Sequence, residues 1–457
     1  MGDGSAAPEK PRGMRAFVLL WFGQVVSNLG SGMSGFAMGV WAYRLTGSAT
    51  ALSLITLFAT LPNTLLSPLA GALTDRWGRR SVLLINNFGC GACTLVMAAL
   101  YWADAIQIWH VYVLVLISRC FNVFQLPAFS AVTAQLVPRN QLLRANGMAQ
   151  LGPAAAQIAA PLLAVALMDL IGVGGIFFLD FTSFVFASGT LLATRIPKPT
   201  VSSAGQEGKG SLLYESFYGW TYIRKRPGLL GLLLFFAFAN YCLMVVQILV
   251  TPLVLSFGTA KTLATVVTSG AVGAVVGGIV LGLWGGGRSV RRVPIILGFT
   301  LLQGATLLLG GLQPNALLVA AAMAVALFAL PMIRGSSEAI WQSKVPQDLQ
   351  GRVFSIRRMI AGVAFPLAGA SAGPLADQVF KPLLLPGGAL ADSVGRVIGV
   401  GPGRGVAFMF MMFGALTLLS VGVIYAYRPV RNVETELPDA LPDETPAAVP
   451  VPAGSVP

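Results

Sequence analysis

Runs of about 20 apolar residues recur almost from end to end of this chain, and a hydrocarbon bilayer is the environment that accounts for them. Inside lipid every backbone N–H and C=O must be satisfied within the protein, so each run reads as a helix spanning the membrane. Of 457 residues, 55% are hydrophobic and 10% charged, where a soluble domain carries roughly 25% charged residues. Twelve such helices fit, in two six-helix bundles over residues 16–195 and 228–427. A tail (1–15), a linker (196–227) and a Pro-rich, acidic tail (428–457) complete the chain, and both tails read as disordered. The predicted fold is an all-α membrane protein with two pseudo-symmetric bundles. The first apolar run follows Arg12 and Arg15 and lacks a small-residue cleavage site, so it is expected to remain as a span.

The net charge of +13 raises the question of a nucleic-acid partner, and the placement of the charges answers it. Most of the 30 Lys and Arg fall on the side that holds both tails. The opposite side carries Arg44, Lys261, Lys381, Arg396 and Arg404, while Arg119 and Arg334 lie inside helices. By the positive-inside rule both termini are expected in the cytoplasm, with the protein in the plasma membrane. The basicity is therefore a topology signal, and no nucleic acid is expected. Aromatic residues gather near the two faces: Trp41, Tyr43, Tyr101, Trp102, Trp109 and Tyr112 near one, Trp77, Trp284, Trp341, Tyr425 and Tyr427 near the other.

Between the second and third helices, predicted at 50–72 and 81–102, lies the stretch Gly71-Ala-Leu73-Thr-Asp75-Arg76-Trp-Gly78-Arg79-Arg80. It reads as a tight loop at the inner face. A carboxylate beside hydrocarbon must find partners. Asp75 can accept hydrogen bonds from the N-terminus of a helix in the other bundle, where the backbone is partly positive. Arg76, Arg79 and Arg80 can hold carboxylates or lipid phosphates. Such a latch exists only while the inner side is closed, so it biases a two-state equilibrium without touching substrate. The alternative is a loop that only sets topology, which needs the arginines but not the acid.

Two halves repeat. Val137-Pro138-Arg139-Asn140-Gln-Leu-Leu-Arg144 and Val345-Pro346-Gln347-Asp348-Leu-Gln-Gly-Arg352 share one pattern between the fourth and fifth helices of their halves. Gly282–Arg292 corresponds to the charged loop, with glycines and arginines but no acid. In the linker, Leu213, Phe217, Trp220 and Ile223 share a helical face ahead of Arg224, Lys225 and Arg226. That pattern reads as an amphipathic helix on the inner leaflet, its cations near anionic lipid.

Several motifs carry no chemistry in this setting. Cys90-Gly-Ala-Cys93 lies in an apolar helix and reads as packing, with no disulfide or metal implied. His110 reads as interfacial. Gly399–Gly405 and Gly205–Ser211 fail as phosphate loops. The expected cofactor list is empty, energy for uphill transport must come from a gradient, and no catalytic constellation sits on adjacent helices. Gly273-x-x-x-Gly277 and Gly278-x-x-x-Gly282 read as close helix packing.

With these residues on the page, the chain resembles the major facilitator superfamily over roughly residues 16–427. Gly71, Leu73, Asp75, Arg76, Gly78, Arg79 and Arg80 match its signature without a gap. Trp41-x-Tyr43 with Thr46-Gly-Ser-Ala49, Ser67-Pro68-x-Ala70-Gly71, Pro127-Ala128 and Ala145-Asn146-Gly147 make it look most like the drug-exporter group of macrolide-efflux proteins and the enterobactin exporter. The resemblance implies a gating role for the charged loop. It also aligns Arg119 with the fourth-helix arginine linked to proton coupling, although Asn122, Phe124, Gln125 and Leu126 depart from the usual glycine-rich continuation. Gly147, Gly152 and Pro153 resemble the antiporter motif of the fifth helix, with Ala154 and Ala155 in place of its final glycines; they are expected to let the bundles pack closely and bend.

Arg119 stands near mid-membrane, where a cation costs roughly 2.5–3.5 kcal/mol; coupling or anion binding stands against a structural role. The first helix has no acid, which leaves Asp180 and Glu338 as proton sites. Asp180 reads equally as a cap or interfacial pair, and Glu338 as the partner of Arg334 at i, i+4. Gln24, Asn28 and Ser31, with Asn240 and Gln247, should face inward, either lining a cavity or bridging helices. Together these observations point to a monomeric exporter of an amphiphilic small molecule, neutral or anionic, working by proton antiport. The alternatives are a facilitator or importer, including one for lipid-like substrates, and a non-transporting scaffold or sensor.

Overall fold

The computed structural model describes residues 13–138, 141–194, 220–284 and 291–437. Its first six helices are α1 (Met14–Thr46), α2 (Ala49–Trp77), α3 (Arg79–Trp102), α4 (Ile108–Asn122), α5 (Gln125–Leu136) and α6 (Leu142–Ala193). The second half contains α7 (Pro227–Leu255), α8 (Ala260–Trp284), α9 (Arg292–Gly310), α10 (Ala316–Lys344), α11 (Gln347–Pro374) and α12 (Arg404–Ala426). Eleven stretches among the described residues are long and apolar enough to cross a membrane. One of them, Arg144–Ala193, is 50 residues long. At about 1.5 Å per residue it has length for two crossings, and its backbone leaves helical geometry at Gly172 (φ 69°).

Local chemistry explains the joints. Gly47 ends α1 in the left-handed region (φ 60°), which glycine adopts without steric cost. Ser48 then caps α2, its hydroxyl accepting from the N–H groups of Thr50 and Ala51. Asn315 does the same for α10. The charged stretch is helical through Trp77, and Gly78 (φ 81°) is the single non-helical residue between α2 and α3. The expected ten-residue loop is thus a one-residue joint, because glycine takes up the positive φ that an L side chain rarely adopts.

The repeat has a structural counterpart. Val137 and Val345 are both buried, both extended and both end a helix just before proline. The apolar cores differ. In the second half, one cluster runs from Cys242 to Phe413 at the outer side and another gathers Ile223, Trp341, Val353 and Val430 toward the side of the chain ends, here called inner. Trp341 is only 1% exposed, so it belongs to this core and not to the interfacial belt. A buried ring recovers more apolar area there than at a headgroup.

The same cluster corrects two segment assignments. Ile223 packs inside it at 0% exposure, so this residue does not face the leaflet. Arg226 lies 3.5 Å from the Tyr222 ring, while Arg224 and Lys225 are exposed; Leu213 and Phe217 lie outside the described residues. Residues 428–436 also depart from the disorder expected of the tail. Residues Arg428–Arg431 and Val433–Glu436 are short helices docked under the second half. Glu434 accepts from the N–H groups of Arg292 (2.9 Å) and Val293 (3.0 Å) at the start of α9. Lys344 at the end of α10 donates to the Glu434 carbonyl (2.6 Å). Free helix ends supply partners that sequence spacing does not show.

The halves meet along α2–α11 and α6–α8. On α11, Gly369 and Gly373 lie against Leu57, Ser53 and Thr50 of α2, whereas Gly362, two turns closer to the inner face, has nothing within 4 Å. On the other seam Thr268 of α8 donates to the carbonyl of Ile158 on α6 (3.1 Å). Among the described residues the halves pack together at the outer side, where Val40 and Ala49 share a cluster with the second half, and part toward the inner side, where each cluster belongs to one half.

Candidate functional site

Polar residues of α1 organise the interior of the first half. Gln24 is 6% exposed and accepts from Gln125 Nε2 at 2.6 Å, and the Gln125 carbonyl accepts from Asn122 Nδ2 at 2.6 Å. Asn122 ends α4 and Gln125 opens α5, so the amide ladder spans the break between them. An unpaired amide is costly in a low-dielectric interior, and a chain of satisfied ones is rigid. Gln24 therefore bridges helices. Asn28, Asn240 and Gln247 are partly buried and make no hydrogen bond among the described residues.

Two turns beyond Gln24, Ser31 donates to Asp180 Oδ1 (3.1 Å), and Ser183 also reaches that oxygen (3.4 Å). Gly30 makes room: a Cβ there would lie 2.9 Å from the same oxygen. Asp180 is 2% exposed and has no ion-pair partner among the described residues. It is neither a helix cap nor an interfacial pair; it is a buried carboxyl joining α6 to α1. Arg119 shares a face of α4 with Val111 and Val115, which are buried against α1 and α2. Arg119 itself is exposed on that face, bordering the interior, and makes no hydrogen bond among the described residues.

Glu338 is paired, but not with Arg334. Its carboxylate binds Arg357 on α11, whose guanidinium also lies over the Trp341 ring at 5.3 Å. Packing α10 against α11 offers a cation across the seam, and the cross-helix geometry wins over the i, i+4 pairing.

The charged joint is partly described. The side chains of Gly71, Leu73, Asp75 and Arg76 lie outside the described residues, so the inner latch remains an expectation. Arg79 donates to the carbonyl of Ala131 (3.2 Å) near the end of α5, and Arg80 to that of Leu192 (2.8 Å) near the end of α6. These contacts lie within one half, and the one to Leu192 satisfies a carbonyl that the end of α6 leaves free.

In α6 the backbone stays helical through Gly147, Gly152 and Pro153; among its described residues only Gly172 departs. Gly152 permits close packing, its Cβ direction 2.9 Å from Val25 on α1, whereas Gly147 faces open space. On α8, Gly273 and Gly277 press against the backbone at Ala324 and Phe328 of α10, and Gly278 and Gly282 touch nothing within 4 Å. His110 accepts the Gln107 N–H through Nδ1 (3.0 Å), an N-terminal helix cap.

Sequence reasoning underrated three groups. Gln125 and Asn122 stand out in the sequence only as departures from a motif, Glu434 falls in a tail read as disordered, and Asp377 belongs to no motif. An acid just outside a span was the available signal for the last two.

A model of the Major Facilitator Superfamily matches residues 20–369. Macrolide efflux protein A of Streptococcus pyogenes is 27% identical over 367 residues, covering 79% of this chain and 90% of that protein. Macrolide efflux protein A of Enterococcus faecalis is 28% identical over 325 residues, covering 70% of this chain and 99% of that one. Among solved structures, an inward-facing, unoccupied bacterial homolog of the human lysosomal transporter Spinster superposes with a TM-score of 0.68 at 14% identity. That match covers 93% of this chain and 98% of the other.

Proposed function

This chain belongs to the major facilitator superfamily, and we propose that it is a secondary active exporter of an amphiphilic small molecule, a drug, macrolide-like or siderophore-like natural product, driven by proton antiport. The observation that carries this reading is the likeness to macrolide efflux protein A over most of the chain. The parted inner face supports it, because a molecule to be exported must enter from that side. Both termini, and hence this face, are placed in the cytoplasm by the positive-inside rule.

In this reading Asp180 carries the proton. Its carboxyl joins α1 to α6 through hydroxyls alone, so gaining or losing a proton changes the α1–α6 joint directly. Arg119, bordering the same interior without a partner, supplies the cation that answers to that charge or to an anionic substrate group. Glu338, held by Arg357, serves as an inner-side ion pair. Alternating access follows if substrate and proton bind the inward-open and outward-open states with different affinity.

The test is erythromycin uptake into inverted vesicles with an acid interior, comparing Asp180→Asn, Arg119→Ala and Glu338→Gln. Asp180→Asn and Arg119→Ala are expected to lose proton-driven accumulation, and Glu338→Gln to keep it. Wild-type behaviour in all three variants would overturn the coupling assignment. Uptake by the wild type that ignores the pH gradient would favour a facilitator.

A further inference from the structure

At the outer end of the α2–α11 seam, a carboxylate of one half sits on a helix start of the other. After Pro374 the backbone of α11 passes into a π-helical turn, Leu375–Phe380, which presents Asp377. Such turns re-aim a side chain out of ordinary helical register. The Asp377 carboxylate accepts from the N–H of Ala49 (3.2 Å) and of Thr50 (2.8 Å), from Thr50 Oγ1 (2.8 Å) and from Ser48 Oγ (2.6 Å). The two N–H groups lie at the positive end of α2.

The helix does not need this acid in order to start. Ser48 Oγ already accepts from Thr50 N (3.1 Å) and Ala51 N (3.3 Å). The added bonds therefore tie one half to the other. One further hydrogen bond crosses the halves among the described residues, the neutral one from Thr268 to Ile158. Behind Asp377, Gly373 lets the two backbones approach, since a Cβ there would lie 2.7 Å from the Ala49 carbonyl oxygen. Separating the outer ends must break all four bonds to the carboxylate together.

We propose that Asp377 is an outer latch: with Ser48 and Thr50 it holds the outer side shut while the inner side is open, and release of substrate to the outside requires its bonds to break. The proposal rests on the alternating-access reading above. It makes Asp377 a positioning residue that sets the balance of states without contacting substrate.

The test uses full-length protein in lipid nanodiscs, with spin labels on exposed sites of opposite halves. Leu170 and Leu317 report the outer side, Leu151 and Leu283 the inner side. Asp377→Ala is expected to raise the ratio of long to short outer distances by about tenfold or more, within the usual range of coupling between states. Ser48→Ala with Thr50→Val should shift it in the same direction from the other half, and Asp377→Asn should fall between Asp377→Ala and the wild type. Outer distances that match the wild type in both Asp377→Ala and the Ser48/Thr50 variant would overturn the latch. Alternating access is judged separately: if the wild-type inner pair never shortens with erythromycin or a change of pH, that reading fails, and the outer pair still decides the latch.

Discussion

The first half buries a carboxyl between its helices, and two acids of the second half sit on helix starts. In the first half Gln24, Asn86, Asn87, Asp180 and several serines and threonines are buried between helices. In the second half the interior is dominated by the clusters around Val246, Phe410, Trp341 and Ile223, while Glu434 and Asp377 act at helix starts. A buried carboxyl changes the joint it sits in when its charge changes; an acid on a helix end fastens one element to another. Under the proposed function, Asp180 would sense and the acids on helix starts would fasten.

The largest test of that contrast is Asp180→Asn. Proton-driven accumulation should fall by about 5- to 150-fold, the range of a coupling free energy of about 1–3 kcal/mol, while substrate counterflow without a gradient persists. Loss of both activities together would show that Asp180 holds the fold and carries no coupling. A strong structural effect is expected in the second half from Gly273→Leu, because the added side chain meets the Ala324 backbone. Overpacking of this kind costs about 1–3 kcal/mol, to be read as a lower midpoint in a thermal scan of detergent-solubilised protein.

Smaller effects sharpen the fastening role. Glu434→Ala leaves the first N–H groups of α9 without their acceptor and should cost about 1–2 kcal/mol, the upper range for a lost helix cap. In the first half, Gln125→Leu strands the Gln24 and Asn122 amides and should cost about 1–3 kcal/mol. The double change with Gln24→Leu should recover part of that loss, which a double-mutant cycle on thermal stability would measure.

Much of the fold was legible because lipid imposes long apolar helices and leaves breaks where charge, glycine and proline gather. The spans, the two halves and the matched Val-Pro joints all follow from that pattern. Details at the joints escaped it. Gly71–Arg80 has the composition of a loop, yet its first seven residues are helical and Gly78 alone makes the turn. Glu338 had a cation one turn away in Arg334, yet it pairs with Arg357 across a helix seam. Tail residues 428–436 lack the apolar content of a core element, yet they dock, because α9 and α10 leave open ends for them to satisfy.

By itself the sequence determined the solvent of this protein, the kind of element it is built from and the family it belongs to, since hydropathy and motif spacing act locally along the chain. It also singled out Asp180 as an acid that has to be explained. Only the tertiary structure decided what each charged group faces. Asp180 meets serines, Glu338 meets Arg357, and Asp377 meets a helix start more than three hundred residues away in sequence. The physical reason is that a charge near lipid must be satisfied, but its partner is chosen by which helices pack together, and that choice is not written in any local spacing.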